Sequence, residues 1–226
     1  MKIAALISGG KDSIYAAYQA SKKHNLECLI AIKSTNPESY MFHIPNIDLV
    51  KLQAKSMNIP LIFGKTKGEK ELELKDLESA IKKAIKKYKI QALVSGAIAS
   101  NYQALRINNI CKKLKIKSIT PLWHIDPEKY WNDLLKNKFE IIISSVSSEG
   151  LEEEWLGEKI NKETFKKLKS LSKKFNFHLA FEGGEAETLV INCPIFRKKI
   201  KIVKAKKEWY NNNGIYIVED SKLINK

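Results

Sequence analysis

The chain has 226 residues, of which 44% are hydrophobic, so a sizeable core can form. No apolar run approaches the ~20 residues that span a bilayer, and the three cysteines are scattered at 28, 111 and 193 with no C-x-x-C. A membrane protein, a disulfide framework and a cysteine-based zinc site are thereby excluded. The formal charge of +15 suits a polyanionic partner. Its lysines are spread along helical patterns such as "ESAIKKAIKKYKI", however, and the solvated surface of a heat-adapted protein accounts for them equally well.

In chain order, Ile3–Ile7 reads as a first strand and not as a signal peptide. It runs directly into Ser8-Gly9-Gly10-Lys11-Asp12-Ser13, after which a helical pattern begins. A second strand is expected at Cys28–Ile32 and a third at Leu61–Phe63. Between them Tyr40-Met41-Phe42-His43 follows Asn36-Pro37 as a loop. Asp76–Tyr88 carries Leu77, Ala80, Ile81, Ala84, Ile85 and Tyr88 at helical spacing, which predicts one apolar stripe. The strand Ala92–Ser95 ends in Ser95-Gly96-Ala97-Ile98. The helix Tyr102–Leu114 follows, with Leu105, Ile107, Ile110, Cys111 and Leu114 as its buried candidates, and then a short strand near Ser118–Thr120.

Strands alternating with helices predict βαβ units and a parallel sheet, with ligands beyond the carboxyl ends of the strands. Ser8 and Ser95 both fall there. From about residue 126, at "HIDPEKYWNDLL", the texture changes. A strand Phe139–Ser144, "SSEGLEEEWLG", "FEGGEAETLV" and the basic "FRKKIKIVKAKKEWY" predict a smaller α+β lobe over 126–226, packed on an α/β nucleotide-binding domain over 1–125.

The glycine turn points to an anion. Gly9 and Gly10 let backbone N–H groups converge without an obstructing Cβ, and the following helix adds the positive end of its dipole. Ser8 and Ser13 add hydroxyls, Lys11 adds charge, and Asp12 can orient the loop or hold Mg²⁺. Neither G-x-x-x-x-G-K-[ST] nor G-x-G-x-x-G is present. "SGGKDS" instead resembles the pyrophosphate loop of the N-type ATP pyrophosphatases. That resemblance implies a Rossmann-like, adenine-nucleotide α-hydrolase type of sheet and cleavage of ATP between its α and β phosphates.

The blocks "NPESYMFHIPNIDLVKLQAKSMNIPL" (36–61), "SGAIASNYQALRINNICKKL" (95–114), "TPLWHID" (120–126), "EGLEEEWLGEKI" (149–160) and "EGGEAETLVINCPIF" (182–196) narrow the resemblance. In this order they resemble the diphthine–ammonia ligase family. The resemblance implies a cytoplasmic ligase that takes ATP with Mg²⁺, ammonium, and translation elongation factor 2 as protein substrate. It would amidate the diphthine carboxylate through an acyl-adenylate, releasing AMP and pyrophosphate.

The site expected from residues and resemblance together has three parts. Ser8, Gly9, Gly10, Lys11, Asp12, Ser13, Ser95, Gly96, Ala97 and Arg106 would bind ATP, with Asp12 as metal ligand. Tyr40, Phe42, His43, Tyr102, Gln103, Glu182, Gly183, Gly184, Glu185 and Glu187 would meet the substrate. Lys11, Asp12, Glu185 and Glu187 would act in catalysis. Three glutamates around one glycine turn repel unless a cation sits among them. That cation is ammonium, Mg²⁺ or the trimethylammonium of diphthine, or else the glutamates are simply solvated. The aromatics at 40 and 42 are candidates for capping the nucleotide or facing a quaternary ammonium, and Trp123 and Trp155 are further candidates. A small-residue packing turn at Ser95–Ile98 and a surface salt bridge at Arg106 are the plainer alternatives there. Ala186 stands where the family tends to carry an aromatic residue, so no stacking role is carried over to it.

Two rivals share the loop. A transfer-RNA-modifying pyrophosphatase is favoured slightly by the charge, but its sulfur-transfer members rely on paired cysteines that this chain lacks. A non-catalytic adenine-nucleotide-binding protein is disfavoured by the intact Lys11, Asp12 and serines. No glutaminase domain is encoded here, so free ammonium is the simplest nitrogen source. Direct nucleic-acid binding is not expected, and a homo-oligomer stays open.

Overall fold

The computed structural model describes residues 1–36, 46–69 and 72–226; Tyr40, Phe42 and His43 lie outside the described residues. The first half runs β1 (Lys2–Leu6), α1 (Lys11–Ser21), β2 (Asn25–Ser34), α2 (Val50–Met57), β3 (Leu61–Thr66), α3 (Leu72–Tyr88), β4 (Ala92–Val94), α4 (Asn101–Lys113) and β5 (Lys117–Ile119). Its five strands pair in parallel in the order β3-β2-β1-β4-β5. The chain builds outward from β1 to one side, then returns to β4 on the other. The crevice at this reversal, beyond the carboxyl ends of β1 and β4, is where such sheets take ligands.

Both faces of the sheet are covered, which is why β1, β2 and β4 read as continuous apolar runs. Ala4, Cys28, Ile30 and Leu93 meet Leu77, Ile81 and Ala84 of α3 and Ile107 and Cys111 of α4. The α3 stripe is as the periodicity predicts. On α4 the inward face is Ala104, Ile107, Ile110 and Cys111, and Leu105, expected to be buried, is 60% exposed. At about 100° per residue, Leu105 is rotated off a face already filled by Ala104. Ser100 caps α4 by accepting the Gln103 N–H.

The second half contains α5 (Pro127–Lys136), β6 (Glu140–Val146), β7 (Lys159–Ile160), α6 (Lys162–Phe175), β8 (Ala186–Asn192), β9 (Lys199–Tyr210) and β10 (Asn213–Ile224). All pairings are antiparallel. β8 runs along one edge of β6, while β7 and then β10 share the other, and β9 follows β10. Beyond its short pairing with β6, β10 is met by the Asn46 amide, which donates to the Tyr216 carbonyl and accepts the Val218 N–H, each at 2.8 Å. Asp126 and Pro127 start α5, and an Asn161/Thr164 capping box starts α6.

One apolar cluster joins the halves. It passes from Ile3, Leu29 and Val94 through Tyr15 of α1 to Tyr130 and Trp131 of α5, and on to Ile141, Ile143 and Val190 of the second sheet. The Tyr15 ring lies 5.4 Å from that of Tyr130 and 5.3 Å from that of Phe139. Among the described residues no helix is long and apolar enough to cross a membrane.

Trp131 is fully buried at this junction and donates its indole N–H to the Leu179 carbonyl at 2.8 Å. Trp131→Phe leaves that carbonyl unpaired and should cost about 1–3 kcal/mol. Because the core is continuous, urea midpoints followed by far-ultraviolet circular dichroism and by tryptophan fluorescence should shift together. Separate transitions would show lobes that unfold independently.

Candidate active site

Between β1 and α1 the chain makes its turn at Gly9, whose φ of +90° suits a residue without Cβ. The Gly9 carbonyl accepts the Val190 N–H and the Gln53 side-chain N–H, both at 3.0 Å. Gln53 donates a second bond to the Val190 carbonyl at 2.8 Å. The Lys11 N–H donates to Thr188 Oγ1 at 3.1 Å. β8 is therefore stitched to the back of the glycine loop. On its inner side the Ser8 N–H donates to Ser13 Oγ at 3.1 Å, the two hydroxyls are 3.0 Å apart, and Ser13 Oγ donates to the Gly10 carbonyl. Gly96 brings the turn after β4 against this loop: a Cβ there would stand 2.6 Å from the backbone of Asp12 and Ser13.

Lys11 is buried. Its ammonium donates to the Ala180 carbonyl at 2.8 Å and to the Asp12 carboxylate at 3.0 Å. Around it stand the rings of Phe181 at 5.1 Å, Trp131 at 5.8 Å and Tyr130 at 5.9 Å. The Tyr130 hydroxyl donates to Asp12 Oδ1 at 2.8 Å. Complete burial, with the Asp12 charge beside it, raises that phenol well above its ordinary pKa, so it stays a donor.

Facing the loop are Glu182, from the turn before β8, and Glu187, near the start of β8. Glu182 accepts the Ala99 N–H at 3.0 Å; burial, then the Asp12 charge, raises its pKa despite that bond. Glu187 has no protein hydrogen bond to its carboxylate among the described residues. Loss of hydration pushes it up to about 7; Lys11 opposes the shift and Asp12 adds to it. Glu185 is used differently: it accepts the backbone N–H groups of His178 at 2.7 Å and Gly183 at 2.9 Å, tying its own turn together.

A cavity of about 320 Å³ lies between these walls. Ser8, Lys11, Asp12, Ser13, Ser95, Gly96, Ala97, Gln103, Glu182, Gly184 and Glu187 line it, with Thr188, Phe181 and Ala186. The Ser95 hydroxyl is buried there without a protein partner among the described residues, as an atom reserved for a ligand would be. Gly9 and Gly10 stand behind the lining, and Gly183 and Glu185 lie within their turn. Arg106 and Tyr102 pack on each other outside it, guanidinium carbon 3.4 Å from the ring centroid. Trp155 belongs to the core, and Trp123 meets His124 edge-on at 4.7 Å. Among the described residues no three His, Cys, Asp or Glu side chains group as a metal site. All three cysteines are buried, their thiols pushed up to about 12 (Cys28), 11 (Cys111) and 12 (Cys193) mainly by desolvation, which leaves them inert.

Two family models cover nearly the whole chain. Residues 1–118 match the diphthamide synthase N-terminal domain and residues 126–224 the C-terminal domain. A protein from Schizosaccharomyces pombe named diphthine–ammonia ligase is 35% identical over 88% of the chain, which spans 36% of that relative's length. One of the same name from Bos taurus is 34% identical over 88% of the chain, which spans 82% of its length. The chain belongs to the diphthine–ammonia ligase family. A solved structure described as a predicted subunit of tRNA methyltransferase from Methanocaldococcus jannaschii is 20% identical, with a TM-score of 0.42 over 86% of this chain and 98% of that one.

Gln53, Tyr130, Phe181 and Thr188 also build this candidate site and are not legible as site residues in the sequence. The only signal for Thr188 was its place in "EGGEAET". Gln53 and Tyr130 lie in ordinary helical patterns far along the chain from the groups they hold.

The raised pKa of Glu187 makes it a stability liability. The unfolded carboxyl ionises near 4.5 and the folded one near 7, so stability falls as pH rises through that window. Glu187→Gln should match the parent near pH 4.5 and exceed it by roughly 2 kcal/mol above pH 7 after screening. Urea titrations at several pH values check this; a constant difference would contradict the assignment.

Proposed function

We propose that the protein amidates the diphthine carboxylate of elongation factor 2, using ATP and ammonium and releasing AMP and pyrophosphate. The observation that carries the reading is a cavity with an anion cradle on one wall and two unusually basic carboxylates on the other. The cradle comprises the first turn of α1, the Ser8 and Ser13 hydroxyls, Lys11 and the unpartnered Ser95 hydroxyl. Family membership supports the chemistry, and the buried, protonated thiols disfavour sulfur transfer. Cytoplasmic residence is inferred with it.

ATP supplies an adenylate that gives the substrate carboxylate a good leaving group. The Ser8 and Ser13 hydroxyls and the N–H groups of Asp12 and Ser13 in the first turn of α1 hold the departing pyrophosphate, and Lys11 supplies positive charge that needs no reorganisation. Ser95, Gly96 and Ala97 border the nucleotide from the turn after β4. Asp12 keeps lone pairs beyond those given to Lys11 and Tyr130. It is the residue to hold Mg²⁺, which takes one or two carboxylates alongside phosphates. Glu182 and Glu187 attract ammonium, and Glu187 accepts its proton so that ammonia attacks the acyl carbon. The second ammonium proton passes to water as the tetrahedral adduct collapses, breaking the acyl–phosphate C–O bond to give amide and AMP. We assign residues 1–125 to the nucleotide and 126–226 to the carboxylate and ammonium.

Incubation with ATP, Mg²⁺, ammonium and diphthine-bearing elongation factor 2 should give the acid-to-amide mass change with equimolar AMP and pyrophosphate. Stoichiometric ADP would refute it. Amide formation should rise with pH through about 7, as Glu187 ionises. Glu187→Gln should lose this limb and slow the amide step by ~10²–10⁴, while AMP–pyrophosphate chemistry persists in single-turnover assays.

A further inference from the structure

We propose that the tip of the β9–β10 hairpin, Tyr210-Asn211-Asn212-Asn213, is a docking surface for the protein that carries the substrate carboxylate. The inference rests on the ligase reading above and adds where the carrier protein sits. The strand register places this tip at the end of the sheet that also carries the cavity-lining residues of β8. Ala186 and Glu187, which line the cavity, pair with Val146 and Ser145 of β6. On the opposite edge of β6 the same two residues pair with Gly214 and Ile215 of β10, which pair in turn with Trp209 and Glu208 of β9. Three strand steps separate Ala186 from Trp209, about 14 Å at 4.7–4.9 Å per step. The chain leaving β6 supports the glutamate turn from the same end: Ser147 donates its N–H to the Glu185 carbonyl and its hydroxyl to the Gly184 carbonyl.

A carboxylate borne on a protein enters this cavity only if the surface of its carrier settles on the rim. A standard interface covers about 800 Å² per partner, a disc of roughly 16 Å radius. One centred near Ala186 covers the Trp209–Gly214 end of the hairpin and brings the tip to its margin. The tip also has the character of a contact surface. Tyr210 is 60% exposed, Asn211, Asn212 and Asn213 are exposed, and Asn211 sits at φ 53°. Tyrosine and asparagine offer large contact area and adaptable hydrogen bonding. The base beneath them is fixed: a Cβ on Gly214 would stand 2.5 Å from the Trp209 indole, and one on Gly157 2.6 Å from the Tyr216 ring.

Tyr210→Ala and, separately, Asn211→Glu with Asn212→Glu test the proposal in the full-length protein. Both should raise KM for diphthine-bearing elongation factor 2 about tenfold, leaving kcat and the KM values for ATP and ammonium unchanged. Binding of elongation factor 2, measured without ATP, should weaken in parallel. Unchanged KM and binding in both variants would overturn the proposal. So would an altered monomer–dimer equilibrium with the carrier's KM unmoved, since the tip would then pair copies of this chain. If the parent protein forms no amide at all, the ligase reading fails, and the binding measurement alone decides the docking surface.

Discussion

The carbonyl oxygen of Gly9 takes two hydrogen bonds, from Val190 and Gln53, and the architecture follows from them. A glycine loop has little rigidity of its own, because glycine loses more conformational freedom than any other residue when ordered. Here the order comes from outside the loop. β8 supplies the Val190 N–H and the Thr188 hydroxyl, α2 supplies Gln53, and the segment before β8 supplies the Ala180 carbonyl to Lys11. The anion cradle of the first half is held in shape by the second half, so neither half presents the complete site alone.

The same stitching sets the electrostatics. Lys11 could not stay buried without partners, since an unpaired ammonium away from water is costly. Asp12 and Ala180 satisfy it, three aromatic rings exclude water from it, and Tyr130 steadies the Asp12 carboxylate. Because β8 begins at Ala186, drawing it against the loop also brings Glu187 into the cavity. Glu182 follows from the preceding turn, where Ala99 anchors it to the turn after β4. The acidic wall is a consequence of how the cradle is braced.

This explains what could be read in the sequence. The strand–glycine-turn–helix at Ile3–Ser13 and the turn at Ser95–Ala97 were legible because their chemistry is local: adjacent residues supply glycines, hydroxyls and charge at the end of a strand. The α3 stripe was legible because a filled helical face obeys one period. Long-range partners leave no such trace. Nothing around Gln53 or Tyr130 marks them as the residues that hold Gly9 and Asp12, 44 and 118 residues away. Within "EGGEAET" the spacing could not show that Glu185 ties its own turn while Glu182 and Glu187 face the cavity. Leu105 misled for the opposite reason, an apolar residue beside a face already complete.

The two walls also differ in how firmly their charge is held. Asp12 and a backbone carbonyl already hold the Lys11 ammonium in place, so in the proposed reaction phosphate would meet a group that needs no assembly. Among the described residues Glu182 and Glu187 form no ion pair of their own, and both bind protons more tightly than solvent-exposed carboxyls. Near neutral pH the resting cavity therefore avoids a cluster of like charges by keeping part of its acid wall protonated. A cation arriving among these groups favours their ionised form. Ammonium, in the proposed reaction, is both that cation and the proton donor, so its arrival prepares the carboxylate that deprotonates it. An anion on the facing wall works the other way and holds the proton in place, which ties the basicity of Glu187 to the occupancy of both walls.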